Sequence, residues 1–253
     1  MDWILAAHVA EGAARAAGGI ARRAFYLPRQ VSYKQGDEPV TETDREIERF
    51  VTQLLQASFP ETRIIGEEGA NIGSGSTPIW WIDPIDGTFF FARGVPQFSI
   101  SIGCADADGK MMVGVVYDPM FDECFCAVRG HGATCNGEPI HVSAVTQLRT
   151  ALVSNNSNLV PEWTTMLPLC RTIARTGSAA ISLCYVANGR FDAYWQHNLS
   201  AWDVAAGTLI AEEAGATVTT YDGSPLKVSN PANMLVTNGH LHQAVSQHLT
   251  QLT

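Results

Sequence analysis

The stretch Ile79-Trp80-Trp81-Ile82-Asp83-Pro84-Ile85-Asp86-Gly87-Thr88 decides how this 253-residue chain is interpreted. Its first four residues are apolar at consecutive positions, a pattern typical of a strand covered on both faces. Asp83-Pro84 predicts that the strand stops there. Pro84 fixes the backbone, so the carboxylates of Asp83 and Asp86 can point at one place, and the carbonyl of Ile85 offers a further oxygen. Such all-oxygen clusters suit Mg²⁺ rather than zinc.

The last two residues of this stretch indicate which group would bind beside such an ion. Gly87 lets the chain approach a ligand closely. If a helix begins at Thr88, its free N–H groups would bind phosphate oxygens. A metal beside free N–H groups indicates a phosphate ester. The alternative is that Asp83 and Asp86 are turn residues only, because Asp-Pro and Asp-Gly are common in turns.

Two further acidic groups lie at the ends of predicted elements. Glu67-Glu68 follows a predicted strand, and Trp202-Asp203 begins a predicted helix. Asp203 lies three residues after Ser200 and could be only a capping acid. Asp44 could likewise cap a helix after Thr41, and Glu67 could belong to a solvated loop. Taken singly, these residues favour a structural interpretation. Their coincidence with the acidic stretch favours one shared site.

Outside these motifs the chain divides into two predicted halves, residues 1–146 and residues 147–253, which share one structural unit. In the first half, a helix at 4–25 and a helix that begins with a capping box at Thr43 and Glu46 precede an antiparallel sheet. Asp108-Gly109 and Asn136-Gly137 predict hairpin turns in that sheet. The second half alternates strands and helices, as an α/β layer does. Its predicted strands lie at 151–153, 191–195, near 217 and at 234–236, and its predicted helices at 178–189, at 201–215 and from 240.

The composition excludes several classes of protein. With 16 Lys and Arg against 25 Asp and Glu, the net charge is −9. That balance argues against a broad surface for nucleic acid or anionic membranes, because both require dense Lys and Arg. Charged residues interrupt the apolar N-terminal stretch, which predicts neither a membrane span nor a signal peptide. The six Cys form no C-x-x-C pair and lie mostly in apolar runs, so we expect buried free thiols in a cytoplasmic protein.

The order of the motifs resembles that of a known family. Gly66-Glu67-Glu68, the acidic stretch, and Trp202-Asp203-Val204-Ala205-Ala206-Gly207 are similar to the inositol monophosphatase family of Mg²⁺-dependent, lithium-sensitive phosphatases. The resemblance extends over nearly the whole chain. Val40-Thr41-Glu42-Thr43-Asp44 is similar to the family's N-terminal V-T-x-x-D. Other similar segments are Tyr117-Asp118-Pro119, Gly132-Ala133 with Asn136-Gly137, and Gly177-Ser178-Ala179-Ala180.

This resemblance implies a fold and a metal site. The fold would be a layered αβαβα sandwich, of the type shared by inositol monophosphatase and fructose-1,6-bisphosphatase. The site would bind two or three Mg²⁺ ions. Glu67, Asp83 and the carbonyl of Ile85 would hold the first ion, and Asp83, Asp86 and Asp203 the second. Glu67 would also touch a third, weaker ion.

The resemblance also implies roles around the phosphate. The catalytic residues would be Asp44, Glu67 and Thr88, with Thr88 orienting the attacking water and Asp44 behind it. Gly87 and Thr88 would donate hydrogen bonds to the phosphate. The remaining substrate contacts implied by the resemblance are Asp86, Gly177, Ser178, Ala179, Gln196 and Asp203.

Three parts of the sequence depart from the family pattern. Phe89-Phe90-Phe91 stands where many members have Thr-Asn-Phe, which places aromatic surface near the phosphate, unless these residues only pack the following helix. Gln196 lies seven residues before Asp203, where inositol-specific members usually carry Glu. A neutral amide both donates and accepts, so the pocket can favour a different alcohol. An Arg often found at the position of Ala174 is absent, and Arg175 follows one place later.

The function that these motifs predict is hydrolysis of a small polyol or sugar phosphate, foremost myo-inositol monophosphate. The alternatives within the superfamily are histidinol phosphate, fructose 1,6-bisphosphate and a 3′-phosphoadenosine nucleotide. A purely regulatory protein is disfavoured, because a chain without catalysis is free to lose mutually repelling acids. The resemblance further implies a homodimer with a small phosphorylated metabolite as its partner.

Overall fold

The computed structural model describes residues 1–28, 30–34, 36–158 and 160–252. Its α-helices are α1 (Trp3–Phe25), α2 (Glu42–Ser58), α3 (Thr88–Ala92), α4 (Val160–Met166), α5 (Ala179–Ala187), α6 (Ala201–Glu213) and α7 (His242–Leu249). Its first strands are β1 (Val31–Tyr33), β2 (Pro39–Thr41), β3 (Arg63–Gly66), β4 (Asn71–Ile72), β5 (Ile79–Asp86), β6 (Ser99–Ala105), β7 (Met111–Asp118) and β8 (Glu123–Val128). The later strands are β9 (Ala133–Cys135), β10 (Glu138–Pro139), β11 (Leu152–Ser154), β12 (Thr172–Ala174), β13 (Ala193–Gln196), β14 (Thr217–Thr220) and β15 (Met234–Thr237).

Two sheets carry most of the strands in the described part of the chain. The larger has the order β10-β9-β8-β7-β6-β5-β3-β4 and is antiparallel except where β3 runs parallel to β5. The smaller has the order β12-β11-β13-β15-β14 and is mixed, because β11 runs parallel to both of its neighbours. β1 and β2 form a separate hairpin.

The helices complete a stack of layers. α1 and α2 cover one face of the large sheet, α5 and α6 fill the space between the two sheets, and α4 and α7 cover the outer face of the small sheet. Each layer buries the apolar face of its neighbour, which explains why α5 is apolar around its whole circumference. The predicted αβαβα sandwich is confirmed. The boundary between residues 146 and 147 stays a prediction.

The predicted start of α2 is wrong. The helix begins earlier than a cap at Thr43 requires, with Thr41 at the N-cap and Asp44 as the reciprocal acid. The Thr41 N–H and Oγ both donate to Asp44 Oδ2, at 2.9 and 2.5 Å. Thr41 can occupy the cap because it ends β2 in an extended conformation, which is the backbone geometry an N-cap needs.

The predicted end of β5 is also wrong. The strand continues to Asp86, with a shift of register against β6 between Asp83 and Asp86. Pro84 lacks an N–H, and a bulge is the place where a strand tolerates that loss. The bulge therefore keeps both carboxylates at the buried end of one strand.

Helix α6 lies unusually close to the large sheet. A Cβ built on Gly114 of β7 would stand 2.5 Å from the carbonyl oxygen of Ala206, and one on Gly103 of β6 would stand 2.7 Å from the Cβ of Ala205. Only glycine permits this approach. The contact brings the first turn of α6, with Asp203, toward the end of β5. None of the helices in the described ranges combines the length and apolarity needed to cross a bilayer.

Candidate active site

The end of β5 supplies the centre of the site. Asp83 and Asp86 are both buried, and Asp83 Oδ1 has no hydrogen-bond partner among the described residues. Burial raises the pKa of Asp83 well above its ordinary value, and the charges of Glu67, Asp86 and Asp203 raise it further. A buried carboxylate oxygen without a donor is costly unless a cation or a proton approaches it.

Asp86 is bonded to the start of α5. Ser178 Oγ and the N–H of Ala180 each donate to Asp86 Oδ2 at 2.6 Å, and the N–H of Ala179 donates to Oδ1 at 3.3 Å. Burial nevertheless raises the pKa of Asp86 to about 6, against these hydrogen bonds, which lower it. Asp86 thus connects the large sheet to the helix layer between the sheets.

Asp203 caps the first turn of α6 and lies near the acids at the end of β5. The N–H of Ser200 donates to Asp203 Oδ2 at 2.7 Å within a capping box. Burial and the charge of Asp86 raise the pKa of Asp203 well above its ordinary value. The capping interpretation is therefore confirmed, and the same carboxylate also lies close to Asp86.

Glu67 lies just beyond β3 and makes an ion pair that the sequence did not indicate. Lys34 Nζ stands 2.8 Å from Glu67 Oε1 and 2.6 Å from Glu68 Oε1. Burial lowers the pKa of Lys34, but hydrogen bonds to both glutamates outweigh it and raise that pKa above its usual range. Lys34 follows β1, far from the acidic motifs along the chain, so no spacing rule points to it.

Thr88 and Asp44 meet behind the strand end. Thr88 Oγ lies 2.9 Å from Asp44 Oδ1 and 2.8 Å from the carbonyl oxygen of Ile85, and all three residues are buried. Burial raises the pKa of Asp44 to about 6, although hydrogen bonds from Thr41 and Thr88 lower it. The structure thus places Asp44 beside Thr88, and Asp44 also caps α2.

The backbone turns sharply at the start of α3. Gly87 has a φ of +101°, and a Cβ there would stand 3.0 Å from the carbonyl oxygen of Gln97. The first N–H groups of a helix are not used in its own hydrogen bonds. A phosphate group could therefore reach the backbone N–H groups here without meeting a side chain at position 87.

Two adjoining cavities open on these residues. One, of about 410 Å³, is lined by Lys34, Glu67, Asp83, Thr88 and Asp203, among others. The second, of about 630 Å³, shares Asp86, Phe89, Gly177 and Asp203 with the first. Its further walls include Asn156, Arg175, Ala179 and Gln196. Every candidate site residue lines a cavity or bonds to one that does.

The three residues Phe89, Phe90 and Phe91 have different surroundings in the structure. Phe91 is buried between Phe25 and Phe98, so it packs the core. Phe90 packs under Gly177, where a Cβ would meet its ring at 2.6 Å. Phe89 is exposed at the cavity. The packing interpretation therefore holds for Phe91 and not for Phe89.

The donor set fits a hard cation. The side chains of Asp83, Asp86 and Asp203 offer only oxygen atoms, and burial raises the pKa of each of them, so a hard cation would suit the group. In the described part of the chain no three His, Cys, Asp or Glu side chains already form a set that could hold an ion. Glu67 is paired with Lys34, and Asp86 with α5. Ion binding would require these carboxylates to move together.

A layered sandwich with acidic residues at a strand end and at two helix starts is found in known phosphatases. Residues 5–253 match the model of the inositol monophosphatase family, and the chain belongs to that family. It is 40% identical to the inositol-1-monophosphatase of Synechocystis, over 83% of this chain and 76% of that protein. It is 38% identical to the Nus factor SuhB of Pseudomonas aeruginosa, over 86% of each chain.

Solved structures support the same family assignment. An inositol monophosphatase from Anabaena superposes with a TM-score of 0.88 at 34% identity, covering 99% of this chain and 97% of that one. The extragenic suppressor protein suhB from Bartonella henselae superposes with a TM-score of 0.91 at 33% identity, covering 96% and 98%. The protein is a phosphoric monoester hydrolase of this family.

Proposed function

We propose that the protein is a Mg²⁺-dependent phosphomonoesterase that hydrolyses a small polyol or sugar phosphate, foremost myo-inositol monophosphate. The observation that carries this proposal is the buried group Asp83, Asp86 and Asp203, three acids whose pKa values are all raised. A phosphate dianion cannot approach such a group unless positive charge first inverts the local potential. The acids and the substrate therefore both require a cation.

The residues that would hold two or three Mg²⁺ ions are Glu67, Asp83, Asp86, Asp203 and the carbonyl of Ile85. When bound, Mg²⁺ neutralises the carboxylates and the phosphate, lowers the pKa of bound water and stabilises the attacking and leaving oxygens. Asp86 and Asp203 then serve as ligands and not as proton donors.

The chain itself would bind and orient the reactants. The N–H groups of Gly87 and Thr88 would donate to the phosphate oxygens, as helix starts do for anions. Thr88 Oγ, held by Asp44 and by the Ile85 carbonyl, would accept a hydrogen bond from the attacking water and so aim it at phosphorus. Glu67 would assist on the same side of the cavity.

The alcohol part of the substrate would occupy the larger cavity. Its expected contacts are Gly177, Ala179 and Gln196, which line that cavity, while Ser178 acts through Asp86. Tyr194 donates to Gln196 Oε1 at 2.5 Å, so the amide N–H₂ of Gln196 is directed to other acceptors. Histidinol phosphate, fructose 1,6-bisphosphate and a 3′-phosphoadenosine nucleotide remain the alternative substrates.

The decisive experiment is a phosphate-release panel with these substrates, with and without Mg²⁺ and with and without Li⁺. We expect release that requires Mg²⁺, that Li⁺ inhibits and that collapses in Asp83→Asn. Asp108→Asn, an exposed acid in the β6–β7 turn, is the matched control and should keep wild-type turnover. Unimpaired turnover in Asp83→Asn would contradict the proposed metal site.

The same proposal includes a cytoplasmic homodimer. Free thiols at all six Cys positions support a reducing compartment, and the family resemblance supports the dimer. The presence of Asp44, Glu67, Asp83, Asp86 and Asp203 together supports catalysis over a purely regulatory role. Light scattering after size exclusion would decide the oligomeric state.

A further inference from the structure

Arg175 brings a positive charge to the cavity for the alcohol part of the substrate. It is the only Lys or Arg among the described residues that line this cavity. Its Nη2 donates to the carbonyl oxygen of Asn156 and to Asn158 Oδ1, both at 2.8 Å. Both acceptors are neutral, so they orient the guanidinium without cancelling its charge.

The remaining residues of that cavity favour a second anion, in addition to the phosphate at the proposed metal site. Its acids are Asp86 and Asp203, which the proposed function assigns to cations. Gln196 is neutral, and its carbonyl oxygen already accepts from Tyr194, which directs the amide donors toward other groups. The Gln196 amide and the Arg175 guanidinium therefore supply hydrogen-bond donors on this wall.

The cavity, of about 630 Å³, also has an apolar side. Phe89, with 57% of its surface exposed, and Leu199 lie on this cavity. An aromatic face and a leucine side chain can pack against the C–H face of a sugar or cyclitol ring. The ring would then present its substituents to the polar wall that carries Arg175.

We propose that the preferred substrate carries a second phosphate on its alcohol part and that Arg175 recognises this phosphate. The inference rests on the proposed function and narrows its substrate class to bisphosphorylated sugars or polyols. The guanidinium offers N–H groups beyond those bonded to Asn156 and Asn158, in a planar arrangement that matches phosphate. Gln196 contributes by removing the negative charge that a glutamate would place beside that phosphate.

The test uses pairs of substrates that differ only in the second phosphate. Suitable pairs are fructose 1-phosphate with fructose 1,6-bisphosphate, and inositol 1-phosphate with inositol 1,4-bisphosphate. With Mg²⁺ present, we expect kcat/KM to be roughly 10- to 100-fold higher for the bisphosphate of at least one pair, the range for a hydrogen bond to a charged group. The difference should lie mainly in KM.

Three variants assign this preference to the cavity wall. Arg175→Gln should reduce the ratio of the two kcat/KM values toward one, while Arg175→Lys retains part of it. Gln196→Glu should also reduce the ratio through repulsion, and it tests the inference independently if Arg175→Gln fails to fold. Arg171→Gln, an exposed arginine near the same loop, is the control and should leave the ratio unchanged.

The outcomes separate this inference from the function on which it rests. Mg²⁺-dependent hydrolysis of the monophosphates without a preference for either bisphosphate would overturn the inference alone. A preference that survives in both Arg175→Gln and Gln196→Glu would overturn the role of Arg175. Failure to hydrolyse any of the four substrates would overturn the proposed function and this inference with it.

Discussion

Single residues in this protein hold a helix start in place and also belong to the candidate site. Asp44 accepts from the N-cap Thr41 through one oxygen and from Thr88 through the other. Asp203 accepts from Ser200 at the start of α6 while it faces Asp83 and Asp86. Each carboxylate is therefore fixed in position by the helix that it caps, Asp203 at the cavity and Asp44 behind Thr88.

The hydroxyl of Thr88 provides a direct test at this scale. Thr88→Ala removes the group held by Asp44 and the Ile85 carbonyl, and we expect kcat to fall by about 10²- to 10⁴-fold, the usual contribution of a positioned proton-transfer group. Thr88→Ser keeps the hydroxyl and should retain most of the activity. Steady-state phosphate release measures both. Equal losses in the two variants would show that packing of the methyl group, and not the hydroxyl, is responsible.

Asp44 predicts a pH dependence of stability. Its pKa is raised to about 6 in the folded protein from an ordinary 3.8, so the folded state binds the proton more tightly than the unfolded state does. Lowering the pH from 8 toward 4 should therefore stabilise the protein at this residue, by on the order of 3 kcal/mol at most, and raising it through 6 should remove that gain.

Urea unfolding of wild type and Asp44→Asn at several pH values checks this expectation. The variant has no carboxyl at position 44, so the free energy of unfolding of wild type minus that of Asp44→Asn isolates the residue. The difference should grow as the pH falls below 6. A difference that is constant between pH 8 and 4 would contradict the raised pKa.

Sequence patterns identify the acids that could supply oxygen ligands. They say much less about which other residues those acids contact. Asp83, Asp86 and Gly87 are close together along the chain, so local patterns identify them. Lys34 reaches Glu67 only because the β1–β2 hairpin lies across the site, and that placement depends on long-range packing. Thr41 and Thr43 both precede an acid by three residues, so the pattern offers two starts for α2 and only the structure selects Thr41.

At the scale of elements, the close packing of α6 against the large sheet determines the position of Asp203. Gly103 and Gly114 are the residues that admit the helix, since side chains there would collide with the backbone around Ala205 and Ala206. Sequence patterns predict both the helix and the strands, but a glycine inside a strand does not reveal which helix approaches it. This contact could be known only from the folded structure.

Gly114→Ala should therefore affect both stability and catalysis. Its methyl group would force α6 away from β7, and such overpacking typically costs about 1–3 kcal/mol. The accompanying shift of Asp203 should lower kcat/KM at least about tenfold, because sub-ångström placement matters in catalysis. Urea unfolding and phosphate release provide the two readouts.

Gly12→Ala is the control for this substitution. Gly12 lies in α1, and a methyl group added there would meet nothing within 4 Å, so alanine should stabilise the helix by about 0.5–1 kcal/mol without changing activity. If Gly114→Ala behaves like Gly12→Ala, α6 does not need its close contact with the sheet.

At the scale of the whole molecule, burial and mutual repulsion make the acidic cluster unfavourable for folding, and the proposed cation would offset that cost. We expect Asp83→Asn to raise the Tm above that of wild type in chelator, because it removes one of the repelling buried charges. With Mg²⁺ the order should reverse, since the ion stabilises only a protein that binds it, by about 2.7 kcal/mol at a concentration 100 times the Kd.

Differential scanning calorimetry with and without Mg²⁺ measures this reversal. Asp108→Asn should follow wild type under both conditions, because that residue is exposed in a turn. Identical responses to Mg²⁺ in wild type and Asp83→Asn would place the stabilising ion elsewhere.

The bond between Asp86 and the start of α5 has a consequence for the biosynthesis of the enzyme. Asp86 is translated long before Ser178, Ala179 and Ala180, and Asp203 is translated later still. A ribosome-bound chain that ends before these residues would expose an acidic strand end that lacks both its hydrogen-bond donors and the nearby Asp203. The nascent enzyme should therefore stay inert toward cellular phosphates until most of its length has emerged, so that the onset of turnover reports completion of the fold.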